Sequence, residues 1–243
     1  PRANHFVRGM LKEWGRFGLL KGGAVHPPSQ YVRRTAQQRQ CPPAPAAVLA
    51  IPLHGAGRRY RMLDTTVAVF VSAEELYGVV HPVLAHLETN APAANSYRVD
   101  IVEIADVIFI LENGCILGSC TGRHRLAPLL QGIIGLKALR DFQYVIALHA
   151  AALVSADGVL LLAGRSGCGK STVSAALLSA GWQYLSDDTI LLCSNSLNVV
   201  PMPYSLGLKR GSWPLLAGRL PHLHLLPVHL REDGKEIRYL PAP

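Results

Sequence analysis

A chain of 243 residues with 49% hydrophobic side chains is long enough to bury one large core or two small ones. Its net charge of +8 is concentrated in residues 1–40, where eight Lys and Arg face Glu13 alone. The nearly neutral remainder argues against a nucleic-acid-binding fold, and no run of 18 apolar residues reads as a transmembrane segment.

The first 40 residues place Phe6, Met10, Trp14 and Phe17 at helical spacing among the basic side chains. This pattern predicts a short basic amphipathic helix that docks on the body, on a peptide partner or on an anionic surface. The Pro- and Ala-rich stretch 37–47 reads as a linker. Five cysteines, Cys41, Cys115, Cys120, Cys168 and Cys193, form no C-x-x-C pair. Their odd count fits a reducing, cytoplasmic setting, and no signal-peptide pattern is recognised.

Past the linker, residues 66–71 have strand composition. Ser72, with Glu75 three positions on, is a capping-box signature for a helix that stops or kinks near Pro82. Residues 97–104 and 107–111 read as strands, and Asn113-Gly114 is a hairpin turn into a third at 115–117. Residues 48–125 thus form a small accessory α/β region. Leu126, Leu129, Leu130, Ile133 and Ile134 follow a helical stripe to about Arg140, with Pro128 in the first turn. Residues 144–155 read as one apolar strand carrying His149. The turn at Ala156-Asp157-Gly158 then returns the chain antiparallel along 159–163.

That second strand runs into Gly164-Arg165-Ser166-Gly167-Cys168-Gly169-Lys170-Ser171, a complete G-x-x-x-x-G-K-S loop, followed by helix-forming sequence from Thr172 to a Gly181 cap. The glycines let backbone N–H groups turn inward onto phosphate oxygens, and the helix adds unpaired N–H groups and its positive dipole end. Lys170 is placed to reach the β- and γ-phosphates, and Ser171 to hold Mg²⁺. A strand, the loop and a helix in this order imply a nucleoside triphosphate as ligand.

Asp187 and Asp188 follow Lys170 by 17 and 18 residues. One helix and a short strand fill that interval, so the carboxylates return to the phosphate end of the sheet. Phosphoryl transfer needs a carboxylate on the metal and another to accept the proton of the attacking hydroxyl. Adjacent strand residues point to opposite faces, so the two are expected to divide these roles. Asp188 is assigned to the metal with Ser171, although the sequence leaves open which aspartate is the base. The histidines at 222, 224 and 229 lack a convincing third ligand for a metal.

His149, the hairpin, the loop and the aspartates, in this order over residues 140–210, resemble the HPr kinase/phosphorylase family. That family shares its core with the phosphoenolpyruvate carboxykinases. The resemblance implies a P-loop kinase domain over 126–243 with a mixed sheet, in which His149 orients or tunes one aspartate. The family's later metal-holding Glu has no counterpart here, because residues 204–213 contain no carboxylate. No segment matches the part associated with phosphorolysis. The pattern is closer to HPr-kinase-related enzymes that tailor ribosomally made peptides, such as lasso-peptide kinases acting on a precursor serine.

The expectation is therefore a serine kinase, a phosphotransferase with an alcohol acceptor, using ATP and Mg²⁺ on a peptide or small protein. Lys209 and Arg210 are candidate contacts for phosphate or acidic peptide. HPr kinase/phosphorylase proper and a small-molecule kinase of the shikimate or gluconate type remain alternatives, and a homo-oligomer is compatible with all three. A switch or motor ATPase needs a later strand ending in an acid, and nothing after Leu192 fits.

Overall fold

The computed structural model describes residues 41–91, 93–193 and 198–241. The amphipathic helix expected within residues 1–40 lies outside them. The fold is mixed α/β, with one five-stranded and three three-stranded sheets.

The first half comprises α1 (Ala46–Leu49), β1 (His54–Met62), β2 (Thr65–Val71), α2 (Glu75–Leu84), β3 (Asn95–Ile104), β4 (Val107–Glu112) and β5 (Cys115–Thr121). The strands form one sheet in chain order, and only β2 and β3 are parallel, because α2 carries the chain back between them. At the β4–β5 turn, Asn113 and Gly114 have φ of 49° and 75°, the left-handed pair that a two-residue hairpin requires. The long helix α3 (Leu126–Asp141) follows. It shares one core with α2 and the sheet, in which Val69, Leu76, Val80, Ile101, Leu130 and Ile134 are fully buried. On the opposite sheet face, Val48 of α1 meets Val102 and Leu111.

Ser72 does not cap α2. Its N–H donates to Ile101 O at 2.9 Å and its Oγ accepts from Glu103 N–H at 2.9 Å, so the β3 edge holds it in the ladder. The helix starts after Glu74 without a side-chain cap and runs through Pro82 to Leu84.

The second half comprises β6 (Ile146–Leu148), β7 (Ala150–Ser155), β8 (Gly158–Ala163), α4 (Lys170–Ser179), β9 (Gln183–Ser186), β10 (Ile190–Leu192), β11 (Val199–Pro201), β12 (Leu206–Lys209), α5 (Trp213–Leu216), β13 (His229–Leu230) and β14 (Glu236–Leu240). The hairpin expected before the loop is present: β7 and β8 pair antiparallel from Ser155↔Gly158 to Ala150↔Ala163. The strand expected over 144–155 is interrupted at His149. On one side β6 pairs with β10, and on the other β7 pairs with β8 and β9.

The interruption has a partner across the sheet. Leu148 faces Ile190 and Ala152 faces Ser186, so the register is the same on both sides of the gap. His149 and the aspartates occupy the same break from opposite strands. At the other end of α4, Gly181 N–H bonds to Leu178 O and Trp182 N–H to Leu177 O, with Gly181 at φ 91°. Both bonds of a Schellman cap are made.

The halves are joined through a common interior. Leu191 and Met202 belong to the same core as the five-stranded sheet. Ser205 Oγ donates to Val83 O at 2.6 Å, and His86 Nε2 donates to Pro203 O at 2.6 Å. The sequence boundary at 125/126 thus falls at the start of α3, whose apolar side chains enter the core of the five-stranded sheet.

Candidate active site

Strand β8 ends at Ala163 and α4 begins at Lys170, with the Gly-rich loop between them. Gly167 and Gly169 have φ of 88° and 95°, a left-handed region that other residues enter only under strain. A Cβ on Gly164 would lie 2.7 Å from Cys168 Sγ, so a side chain there would require the Cys168 thiol to turn away. The result is a curled backbone against the N-terminus of a ten-residue helix, a geometry suited to phosphate oxygens.

Lys170 is 9% exposed and turned back over this loop. Its Nζ donates to Gly164 O at 2.8 Å and Arg165 O at 3.3 Å, and lies 3.0 Å from His149 Nε2. An ammonium only donates, so His149 Nε2 accepts and its Nδ1 carries the ring proton. Nδ1 lies 3.0 Å from the Asp188 carbonyl oxygen and 3.2 Å from Asp188 Oδ1. His149 therefore connects the loop lysine to the segment holding the aspartates.

The two aspartates separate at the end of β9. Asp187 is buried, and its Oδ2 accepts from Ser171 Oγ at 3.0 Å and from Gly207 N–H at 3.4 Å. Its Oδ1 is buried without a partner. Burial is the largest influence and pushes this carboxyl up to about 6, with the charge of Asp188 adding to it. The Ser171 hydroxyl, the Gly207 N–H and the Lys170 charge oppose the rise. Asp188 instead opens to solvent, its side chain 62% exposed. Of the two aspartates, it is Asp187 and not Asp188, the one assigned to the metal from sequence, that the Ser171 hydroxyl touches. Ser171 contacts Asp187, because the strand ends at Ser186 and neighbouring residues diverge there.

Residues 166–172, His149, both aspartates and Lys209 line one cleft of ≈ 1910 Å³. Lys209 Nζ reaches Ser166 Oγ at 3.4 Å. Thr172 Oγ1 bonds to Ser212 Oγ at 2.7 Å, tying the first turn of α4 to the segment before α5. Gly164 and Arg165 lie at the base of the loop and contribute the carbonyls that hold Lys170. Arg210 does not join this group. It pairs with Glu236 at 2.8 Å and its side chain is 77% exposed.

Gly207 and Ser212 escape sequence reasoning. They act through a backbone N–H and a single hydroxyl, and neither carries a spacing signal.

Among the described residues no group of three or more His, Cys, Asp or Glu side chains is arranged to hold a metal. A Mg²⁺ ion does not need one, because it is commonly held by one or two carboxylates, phosphate oxygens and water. The Ser171 hydroxyl and Asp187, with its unpartnered buried oxygen, fit that donor set. No helix of the described residues is long and apolar enough to cross a membrane. Comparison with protein-family models, curated protein sequences and solved structures gives no match to this chain.

Proposed function

We propose that this protein is an ATP-dependent kinase with a P-loop core of the HPr kinase and phosphoenolpyruvate carboxykinase type. It transfers the γ-phosphate to a seryl hydroxyl of a peptide or protein. The observation that carries this reading is the juxtaposition of Ser171 with Asp187 and of Lys170 with His149 and Asp188, at the mouth of one glycine-rich loop.

Ser171 Oγ and Asp187 are the residues that would hold Mg²⁺, which supplies neutralisation of phosphate charge when bound. Lys170 sits where its ammonium can move from the loop carbonyls to phosphate oxygens. Asp188 is the exposed carboxylate beside this point and accepts the proton of the acceptor hydroxyl. His149 positions it through Nδ1 while its Nε2 accepts from Lys170.

The test is Lys170→Ala, assayed by calorimetric titration with Mg-ATP and by mass spectrometry of serine peptides incubated with ATP. The expected result is ATP binding weakened by tenfold or more and phosphoryl transfer reduced at least 100-fold, with an unchanged circular dichroism spectrum. Unchanged ATP affinity and turnover would mean that the loop is not the active site. Transfer to a free metabolite with none to peptides would favour the small-molecule reading.

A further inference from the structure

The glycine-rich loop is flanked on two sides. His149, Asp187 and Asp188 stand against Lys170 and Ser171. The segment leading from β12 into α5 touches both ends of the loop. Lys209 Nζ meets Ser166 Oγ at 3.4 Å, and Ser212 Oγ meets Thr172 Oγ1 at 2.7 Å.

A triphosphate lying in this loop has a direction. Its γ end belongs beside Lys170, His149 and Asp188, the groups that the kinase reading gives to transfer. Val173 N–H bonds to Gly169 O at 2.9 Å, which starts the hydrogen-bond ladder of α4. The amides of Lys170, Ser171 and Thr172 are therefore the unpaired donors of its first turn. Thr172 is the last of them, and the farthest along the chain from the carbonyls that hold Lys170. The α-phosphate falls at that end, and the nucleoside leaves the loop on the side of Ser212.

An apolar side chain stands there on a firm support. Leu216 of α5 is buried with Ala175 of α4. Trp213 Nε1 donates to Leu208 O at 2.8 Å, and the Arg238 guanidinium lies 4.2 Å from the centre of a Trp213 ring. Leu215, between these two anchored residues, lines the cleft and is 70% exposed. Gly211, next to Ser212, also lines the cleft, with no atom within 4 Å of its vacant side-chain position. Residues 209–218 contain no carboxylate or carboxamide side chain that could pair with the edge of a base.

We propose that Gly211, Ser212 and Leu215 form the nucleoside subsite, with the base on Leu215 and the ribose beside Ser212. The inference rests on the nucleotide-binding reading of the loop and specifies where the rest of the nucleotide lies. Apolar contact separates similar ligands only weakly, whereas a site that hydrogen-bonds its ligand rejects the wrong one by orders of magnitude. This subsite therefore takes ATP and GTP about equally.

The experiment is calorimetric titration of the full chain with the Mg²⁺ complexes of ATP, GTP and inorganic tripolyphosphate. The last has the three phosphates without the nucleoside. The Kd values for ATP and GTP should agree within about threefold. Leu215→Ala should weaken both about fivefold and leave tripolyphosphate within about 1.5-fold. The leucine is exposed, so its truncation leaves the core intact. Leu215→Trp places an indole under the base. Its added fluorescence should be quenched by ATP and GTP and not by tripolyphosphate. Leu136→Ala, which trims the exposed leucine of α3 in the same cleft, should leave all three affinities unchanged.

An ATP affinity unchanged by Leu215→Ala, an equal loss for tripolyphosphate, or a loss in Leu136→Ala instead would each overturn the subsite. A 100-fold preference for ATP over GTP would do the same, because it requires hydrogen bonds that this segment does not offer. Tripolyphosphate that fails to bind the unaltered protein would overturn the reading of the loop itself, and the subsite with it.

Discussion

Asp187 is pulled in two directions by its surroundings. Burial pushes its carboxyl from 3.8 up to about 6, against the hydrogen bonds from Ser171 and Gly207. A folded-state value above the unfolded one means that the folded protein holds the proton more tightly. The resulting stability is fully present below about pH 3.8 and is lost as the pH rises through about 6. The gap corresponds to about 3 kcal/mol, so urea unfolding without Mg²⁺ or nucleotide should show a loss of that order between pH 4 and 6.5. Asp187→Asn should abolish this slope and be about 1–3 kcal/mol more stable than wild type at pH 7. An unchanged slope in the variant would place the titration elsewhere. The same burial explains what the sequence could not resolve. Two adjacent aspartates look identical on paper, and their difference comes from the end of β9 and from Gly207 on another strand. The placement of Lys170, Ser171 and the glycines in a curled loop at a helix start was legible because it depends on local backbone geometry. The partner of Ser171 was not, because it depends on where the two strands stop.

At the scale of elements, α3 is constrained on several sides. A Cβ on Gly135 would fall 2.7 Å from Tyr204 Cζ and 2.9 Å from its Cε1, so the ring itself and not only the hydroxyl would have to move. Alanine is ordinarily favoured over glycine in a helix by about 1 kcal/mol. Here the overlap should reverse the sign, and Gly135→Ala is expected to lower stability by about 1–2 kcal/mol net. Thermal unfolding checks this, and the penalty should disappear when Tyr204 is replaced by leucine. If the penalty persists in that background, the overlap with Tyr204 is not its cause. Periodicity exposed α3 and most strands of the first half because their apolar positions repeat along the chain. It failed where a tertiary partner decides. Ser72 has the spacing of a helix cap but is claimed by the β3 ladder, and the apolar run 144–155 breaks at His149 to face the gap between β9 and β10. Both departures lie at strand ends, and the second one builds the site.

For the whole molecule, the shared core makes the two halves mechanically dependent. Leu191 and Met202, from the half that carries the glycine-rich loop, pack in the same interior as Val69, Ile101 and Ile134. Ser205 and His86 reinforce the junction with bonds to the backbone of the opposite half. Contacts of this kind couple the free energies of the segments they join, so opening one half exposes apolar surface of the other. Unfolding should therefore be a single transition. With Trp14 replaced by phenylalanine, fluorescence from Trp182 and Trp213 reports on the loop-bearing half, while hydrogen exchange of β1–β4 amides reports on the five-stranded sheet. The two probes should give the same urea midpoint. Ile134→Ala, which empties a fully buried position on α3, should cost about 2–5 kcal/mol and move both probes together. A shift confined to the sheet amides, with the tryptophan transition unmoved, would show that the halves fold independently and that the glycine-rich loop does not depend on α3.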